Sequence, residues 1–338
     1  MRLTWLPLFA VPFLAPIDAS AQSRLPIIDM HLHARGAVFI AANPYPMCAP
    51  FEQMPYWDPK VQELRGGTPC KRPIWPGRTE AEVMQQTIAI MQRRNIVGMV
   101  SGQPELISRW KSAAPERIIV GLDLKIGDGK SKPHIKSRTA AEVRALYAKG
   151  EFQVLAEVIT QYEGIAADDP RLEPYWAMAE QLDIPVGIHM GPGGPGDSYG
   201  ESPGYRASNS SPLRLEDVLV RHPRLRVYVM HAGYPMLQDL RALLFAHPQV
   251  YVDISSIVYS EPRPAFYRFL QGIVEAGYGE RVMFGSDQMV WPGVIEPAIE
   301  SIAGAPFLST QQKRDILYNN AARFLRLSKE EIARHHAM

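Results

Sequence analysis

The chain has only two cysteines in 338 residues, no lysine- or arginine-rich run, and no uninterrupted apolar stretch of the roughly 20 residues that a bilayer-spanning helix needs. Two cysteines cannot staple a disulfide scaffold or build a four-thiolate zinc site. Acidic and basic residues nearly cancel, 35 against 36, for a formal net charge of +1, so there is no electrostatic footprint for nucleic acid or an anionic membrane surface. A composition of 46% hydrophobic and 21% charged residues excludes a disordered or coiled-coil chain. No G-x-G-x-x-G follows the first strand-like run, which weakens a dinucleotide-binding reading. The expected partner is a small molecule, and a homo-oligomer stays open.

What is present begins with a leader pattern. Arg2 precedes an apolar segment, 3–17, broken by Pro7, Pro12 and Pro16 and followed by Ala19-Ser20-Ala21. That is the layout of a secretory signal peptide, too short and too proline-broken for a membrane anchor. Cleavage after Ala21 is expected to leave residues 22–338 as one exported domain, periplasmic or secreted, without stable membrane insertion. Export permits a disulfide between Cys48 and Cys70, 22 positions apart, but spacing leaves a bridge and two thiols equally open.

From Leu25 onward, short β-branched apolar runs alternate with segments of helical periodicity. Eight such runs are expected as strands, at 27–31, 96–101, 118–122, 154–159, 185–189, 226–231, 250–255 and 281–286, nearly apolar throughout as buried parallel strands are. Helices are expected at 79–94 with Thr79 as cap, 139–149, 170–181, 213–221, 234–246, 262–276 and 309–325 with Ser309 as cap. Eight strand–helix units predict an α/β fold, a (β/α)8 TIM barrel. Two long insertions, 34–78 after the first strand and 191–211 after the fifth, would lie on the carboxyl-terminal face as lid and pocket wall. His222 and His247 close helices, where a cation is favoured, and with His134, His335 and His336 they are not counted as ligands.

The strand ends carry the chemistry. His31 and His33 are two apart at the end of the first strand and face one space, where two imidazoles suit a divalent metal. Glu157 ends the fourth strand, His189 the fifth, His231 the sixth and Asp287 the eighth. In a barrel these ends surround one axis, so the six residues would meet in one cavity.

On these residues the sequence resembles the amidohydrolase superfamily, most closely the amidohydrolase-related branch that includes aminocarboxymuconate-semialdehyde decarboxylase-like enzymes. The resemblance rests on His31-x-His33, Asp169-Pro170-Arg171-Leu172 with the run 184–191, His231-Ala232-Gly233, Val252-Asp253-Ile254-Ser255, the run 281–287 and the closing 318–324. It implies one metal on His31, His33, His189 and Asp287, with His231 as general acid/base. Many two-metal relatives carry a carboxylated lysine on the fourth strand and others a glutamate, so Glu157 would bridge two ions or support one. Zn2+ is placed ahead of Mn2+, and one ion ahead of two. The expected activity is metal-dependent hydrolysis of a small carboxylic ester, lactone or amide, with Asp287 taking the proton from water and His231 stabilising the oxyanion. The runner-up is non-oxidative decarboxylation of a small carboxylic acid; a binding barrel without catalysis is the third reading. Arg35 is a candidate for a substrate carboxylate, and Trp291 for packing a cyclic substrate.

Overall fold

The computed structural model describes residues 25–35, 44–67, 70–127 and 131–338. The leader pattern at 1–21 lies outside them. Among the described residues there are ten strands: β1 (Ile27–Ala34), β2 (Pro55–Asp58), β3 (Glu63–Gly66), β4 (Ile96–Gly102), β5 (Ile118–Val120), β6 (Leu155–Val158), β7 (Val186–His189), β8 (Val227–Met230), β9 (Val250–Asp253) and β10 (Val282–Met283). Strands β2 and β3 form an antiparallel hairpin inside the first insertion. The other eight are parallel and lie in two ladders, β1-β4-β5 and β6-β7-β8-β9-β10.

The two ladders close on each other. Bridges from Gly121 to Val154 and from Leu124 to Val158 join β5 to β6. At the other seam, the Met30 N–H donates to the Phe284 carbonyl at 2.9 Å and the Asp287 N–H to the His31 carbonyl at 2.7 Å. The result is the expected eight-stranded barrel. Its last strand is shorter than the expected 281–286, because the Phe284 N–H turns away to the Ile316 carbonyl and ends the ladder.

Apolar side chains sort by strand face. Ile28, Met30, Met99, Val154, Ala156, Tyr228, Met230 and Met283 fill the barrel interior, and Phe324 and Tyr318 of the closing helical segment plug one end. Outward residues such as Leu32, Val100, Leu155, Val186 and Val252 pack under the helices. Ile28 and Met30 therefore set an inward parity on β1 that would send His31 and His33 outward. A register shift between Asp29 and Leu32 inserts one residue and reverses that parity. The same device recurs on β6, where a shift between Leu155 and Val158 follows inward Val154 and Ala156 and turns Glu157 inward as well.

Expected helix starts hold at Thr79, whose Oγ1 accepts from the Glu82 N–H, and at Ser309, which forms a capping box with Gln312. The closing segment runs as Thr310–Arg314 and Asn320–Leu325 around one π-helical turn. Helix Pro104–Ala113 was not legible because Gln103 provides no capping side chain; proline at its first turn was the available signal. Helices Ile295–Ala303 and Lys329–Ala337 also lie outside the expected set. His222 and His247 do sit at helix ends, and His222 bonds Glu173 and Glu180. Among the described residues, no helix is long and apolar enough to cross a membrane.

Both insertions rise from the same rim. Cys48 and Cys70 form a disulfide in the first, settling the alternative that spacing left open. The Trp57 ring of its hairpin covers Gly196 of the second insertion so closely that an added Cβ would lie 2.6 Å from the indole. Trp291 is buried beneath the first insertion, donating Nε1–H to the Tyr45 carbonyl at 3.0 Å.

Candidate metal centre

All six strand-end residues meet at the carboxyl-terminal end of the barrel, each almost fully buried. His31 Nε2 and His33 Nε2 are 3.1 Å apart, and Asp287 Oδ1 is 3.1 Å from the second of them. Glu157 divides its carboxylate between two neighbourhoods. Its Oε2 faces His33 Nε2 at 3.7 Å and His31 Nε2 at 4.0 Å, whereas Oε1 contacts His189 Nδ1 and lies 4.0 Å from His231 Nε2. His231 Nε2 is in turn 3.1 Å from His189 Nδ1. Close ligand groups form as His31, His33 and Glu157; as Glu157, His189 and His231; and as His31, His231 and Asp287. The structure thus gathers His189 with His231 and Glu157, whereas the resemblance had grouped it with His31, His33 and Asp287.

The backbone pays for these positions locally. His231 and Asp287 sit at φ of 58° and 53°, in the left-handed region that side chains with a Cβ avoid. Hydrogen bonds hold both: the His231 N–H to Asp253 Oδ1 at 2.9 Å, and the Asp287 N–H to His31. Gln288 spans the seam with its side-chain amide, accepting from the His33 N–H and donating to the His33 carbonyl, both at 2.8 Å. Asp29 Oδ1 likewise accepts from the N–H groups of His31 and Ser286.

Residues behind the ligands decide which ring nitrogens face inward. Ser255 Oγ–H donates to Asp253 Oδ1 at 2.6 Å, leaving its oxygen to accept from His31 Nδ1–H at 2.7 Å. Asp253 Oδ2 lies 3.3 Å from the same nitrogen. His231 Nδ1–H donates to the Ser255 carbonyl at 3.0 Å. Both rings then present Nε2 as an electron pair, toward other imidazoles and two carboxylates. Electron pairs facing one another across such distances require a cation. Tetrahedral Zn2+ with bonds of about 2.0–2.1 Å has ligand–ligand edges of roughly 3.3–3.4 Å, within the spread found here. The donor set fits a divalent ion.

The electrostatics agree. Burial alone would lower His31, yet Asp287, Asp253 and Glu157 outweigh it and push its pKa up to about 10. The cluster therefore demands positive charge, a proton where no ion is bound. Burial holds His189 down to about 4 even though Glu157 pulls upward, so that ring stays a neutral donor. Asp287 is held down to about 2, because His31 and His33 overcome the opposing effect of burial.

Sequence reasoning missed Asp253, Ser255, Ser101, Tyr162 and Gln288 as supports of the centre. Ser101 Oγ meets His33 Nδ1 at 3.1 Å, and the Tyr162 hydroxyl meets His189 Nε2 at 3.3 Å. Their signal was a polar residue at or just after an apolar strand, the pattern that had located the six. His134 is also closer than expected, with Nε2 against Arg35 Nη1 at the mouth. An open groove of about 1370 Å3 lies at the opposite end of the barrel, lined by Ile118, Val154, Arg226, Leu327 and Met338. There Arg226 is already paired with Asp183, and no ligand cluster gathers among the described residues.

A parallel eight-stranded barrel with histidines and carboxylates buried at its carboxyl-terminal rim defines a class of barrel enzymes. The chain belongs to the amidohydrolase family, whose description "Amidohydrolase" matches residues 28–327, and within that superfamily to its amidohydrolase-related branch. Three solved structures share the fold. An uncharacterized TIM-barrel protein from Bordetella bronchiseptica has 17% identity and a TM-score of 0.59 over 91% of this chain and 100% of that one. The 5-carboxyvanillate decarboxylase of Sphingomonas paucimobilis has 15% and 0.58 over 90% and 100%. A probable 2-pyrone-4,6-dicarboxylic acid hydrolase from Acinetobacter baumannii, with citric acid bound, has 15% and 0.55 over 89% and 99%. At such identities the likeness is one of fold, and the names cover both decarboxylation and hydrolysis. No curated protein matches the chain in sequence.

Proposed function

We propose that the protein is a metal-dependent hydrolase of small carboxylic esters, lactones or amides, with two divalent ions bridged by Glu157. The observation that carries this reading is the division of the Glu157 carboxylate, one oxygen toward His31 and His33 and the other toward His189 and His231. Zn2+ is the ion favoured by this nitrogen-rich set, ahead of Mn2+. When bound, a divalent ion polarises a substrate carbonyl and lowers the pKa of water toward about 7.

The chain's own residues supply the rest. Asp287, kept ionised at the mouth side of His33, accepts the proton from the attacking water and passes it to the leaving group. His231 has its Nδ1–H committed to Ser255, which leaves Nε2 as the atom that would serve as a ligand or carry the acid/base role expected from the resemblance. Tyr162 and Tyr205, with ring centroids 5.7 Å apart, form a wall beside His189 that excludes water from one side.

Metal analysis of protein purified without chelator is expected to give about two ions per chain. A panel of lactones, aryl esters and aromatic carboxylates, scored for acid release and for CO2 release, is expected to show acid release only. A single ion per chain overturns the bridge, and CO2 release overturns the hydrolytic reading in favour of decarboxylation.

The working protein is proposed to be residues 22–338, one barrel domain exported from the cytoplasm, with the insertion 34–78 as its lid. The Cys48–Cys70 disulfide supports export, since such bonds persist in oxidising compartments.

A further inference from the structure

The first insertion carries a strand edge without a partner. Strand β3 pairs with β2 along one side, with Asp58 opposite Glu63, Trp57 opposite Leu64 and Tyr56 opposite Arg65. Along its other side no backbone hydrogen bond forms among the described residues, and the whole strand is exposed. Natural edges are commonly blunted by proline, a bulge or a block of like charge. The β2 edge has such protection, opening on Pro55 and running into Pro59 and Lys60. The β3 edge, Glu63-Leu64-Arg65-Gly66, has none of these. The two insertions also hold most of the exposed large apolar side chains among the described residues: Met54, Tyr56, Val61, Leu64 and Trp75 on the first, Tyr199 on the second. Such a concentration marks a contact face.

The charges on this edge complement themselves. Alternation puts Glu63 and Arg65 on one face of the hairpin, where Arg65 Nη2 lies 3.4 Å from Glu63 Oε2, and Leu64 on the other face beside Trp57. When two β3 strands pair antiparallel about Leu64, each Glu63 stands opposite the Arg65 of the second copy, and the two Leu64 side chains stand opposite each other. The exposed pair within one chain, worth little alone, becomes a ring of four alternating charges. No like charges meet. A slip by one residue sets Leu64 against Arg65 and turns the second hairpin over, so the charges and the apolar faces select the same register.

We propose that the partner of this edge is a second copy of the chain, and that the protein is a homodimer joined by antiparallel β3–β3 pairing about Leu64 into a four-stranded sheet, β2-β3-β3-β2. The contact is isologous, so one edge supplies both halves of the interface. A two-stranded hairpin is marginal in water, and two more strands stabilise it. Pairing over four residues is small against the roughly 1,200 Å2 that a specific interface buries, and the exposed apolar side chains around the hairpin are available to make up the difference. In this register both Trp57 rings lie on one face of the sheet, each over Gly196 of its own chain. The dimer therefore carries its two barrel mouths side by side under one roof. This inference concerns assembly and holds whichever reaction the metal centre performs.

The test is sedimentation velocity of the metal-loaded full chain across about 1–100 μM, where the unaltered protein is expected to run as a dimer by about 10 μM. Glu63→Arg and Arg65→Glu each set like charges opposite one another at both ends of the contact. Each is expected to weaken the dimer about 100-fold or more, with circular dichroism and metal content unchanged. An equimolar mixture of the two variants is expected to regain the dimer, because one copy then presents two cations along this edge and the other two carboxylates. A monomer at every concentration overturns the proposal, whether hydrogen exchange finds the amides of 63–66 open to solvent or covered by another segment of the same chain. A dimer that survives both single variants overturns it as well, since another face then joins the copies. So does a mixture that stays monomeric, because loss without rescue is not a matter of matched charge.

Discussion

The backbone N–H of Asp287 donates to the carbonyl of His31 at 2.7 Å, so a ligand after the last barrel strand is pinned to a ligand on the first. Closing the barrel and assembling the metal centre are one event. An ion shared by groups on both sides of this seam binds the folded chain alone and stabilises it by mass action.

Chelation is therefore expected to lower Tm by about 5 °C or more, since ions at 100-fold their Kd contribute roughly 2.7 kcal/mol to a domain of this size. Differential scanning fluorimetry with chelator, then with added Zn2+ or Mn2+, checks this. Unchanged melting in all three conditions counts against ions at the seam.

Asp253 touches no ion in this scheme, yet it orients two ligands, through the His231 N–H, the Ser255 hydroxyl and His31 Nδ1. Asp253→Asn is expected to weaken metal affinity about 10–100-fold while circular dichroism stays unchanged. Competition with a fluorescent chelator measures it, and wild-type affinity would remove Asp253 from the support of the centre.

Gly191 passes so close to His231 that an added Cβ would lie 2.6 Å from its Cβ and 2.7 Å from its Cδ2. Gly191→Ala is expected to displace the imidazole and lower kcat/KM by about 100-fold, in line with the cost of misplacing a reacting group by about 1 Å. A folded, metal-loaded variant with full turnover would show that His231 tolerates the shift.

Breaking the disulfide by Cys48→Ser is expected to act within the insertion it closes. Loop closure over 22 residues is worth roughly 3 kcal/mol in the chain-entropy model. Limited proteolysis should cut residues 44–78 faster, with KM raised more than kcat is lowered. Protease resistance equal to the oxidised protein would show that the hairpin stands without the bond.

Mass spectrometry of the protein recovered from its native compartment is expected to find an amino terminus at Gln22. An intact Met1 in the cytoplasmic fraction would remove the export proposal.

The alternating apolar runs made the barrel legible, because buried parallel strands leave a nearly continuous signature, and polar residues at their ends stood out against it. The bulges did not show. By strict alternation, Met30 inward means His31 outward, and Ala156 inward means Glu157 outward; only the paired register reveals the extra residue that turns each ligand to the axis. For the same reason, His189 and His231 could not be assigned to an ion from spacing. Their partner is set by which oxygen of Glu157 each faces, a distance across strands that no local pattern encodes. His134 looked ordinary because its role at the mouth comes from Arg35, about a hundred positions away in the chain.

The indole of Trp57 resting on Gly196 couples the lengths of two rim segments that are remote in sequence. Shortening either one alone would uncover the other's apolar face and open a gap over the mouth. Divergence among proteins built on this arrangement should then proceed in paired steps, with insertions and deletions in one segment matched in the other. A new substrate range would be inherited as a change in two loops, with the barrel beneath them left as it was.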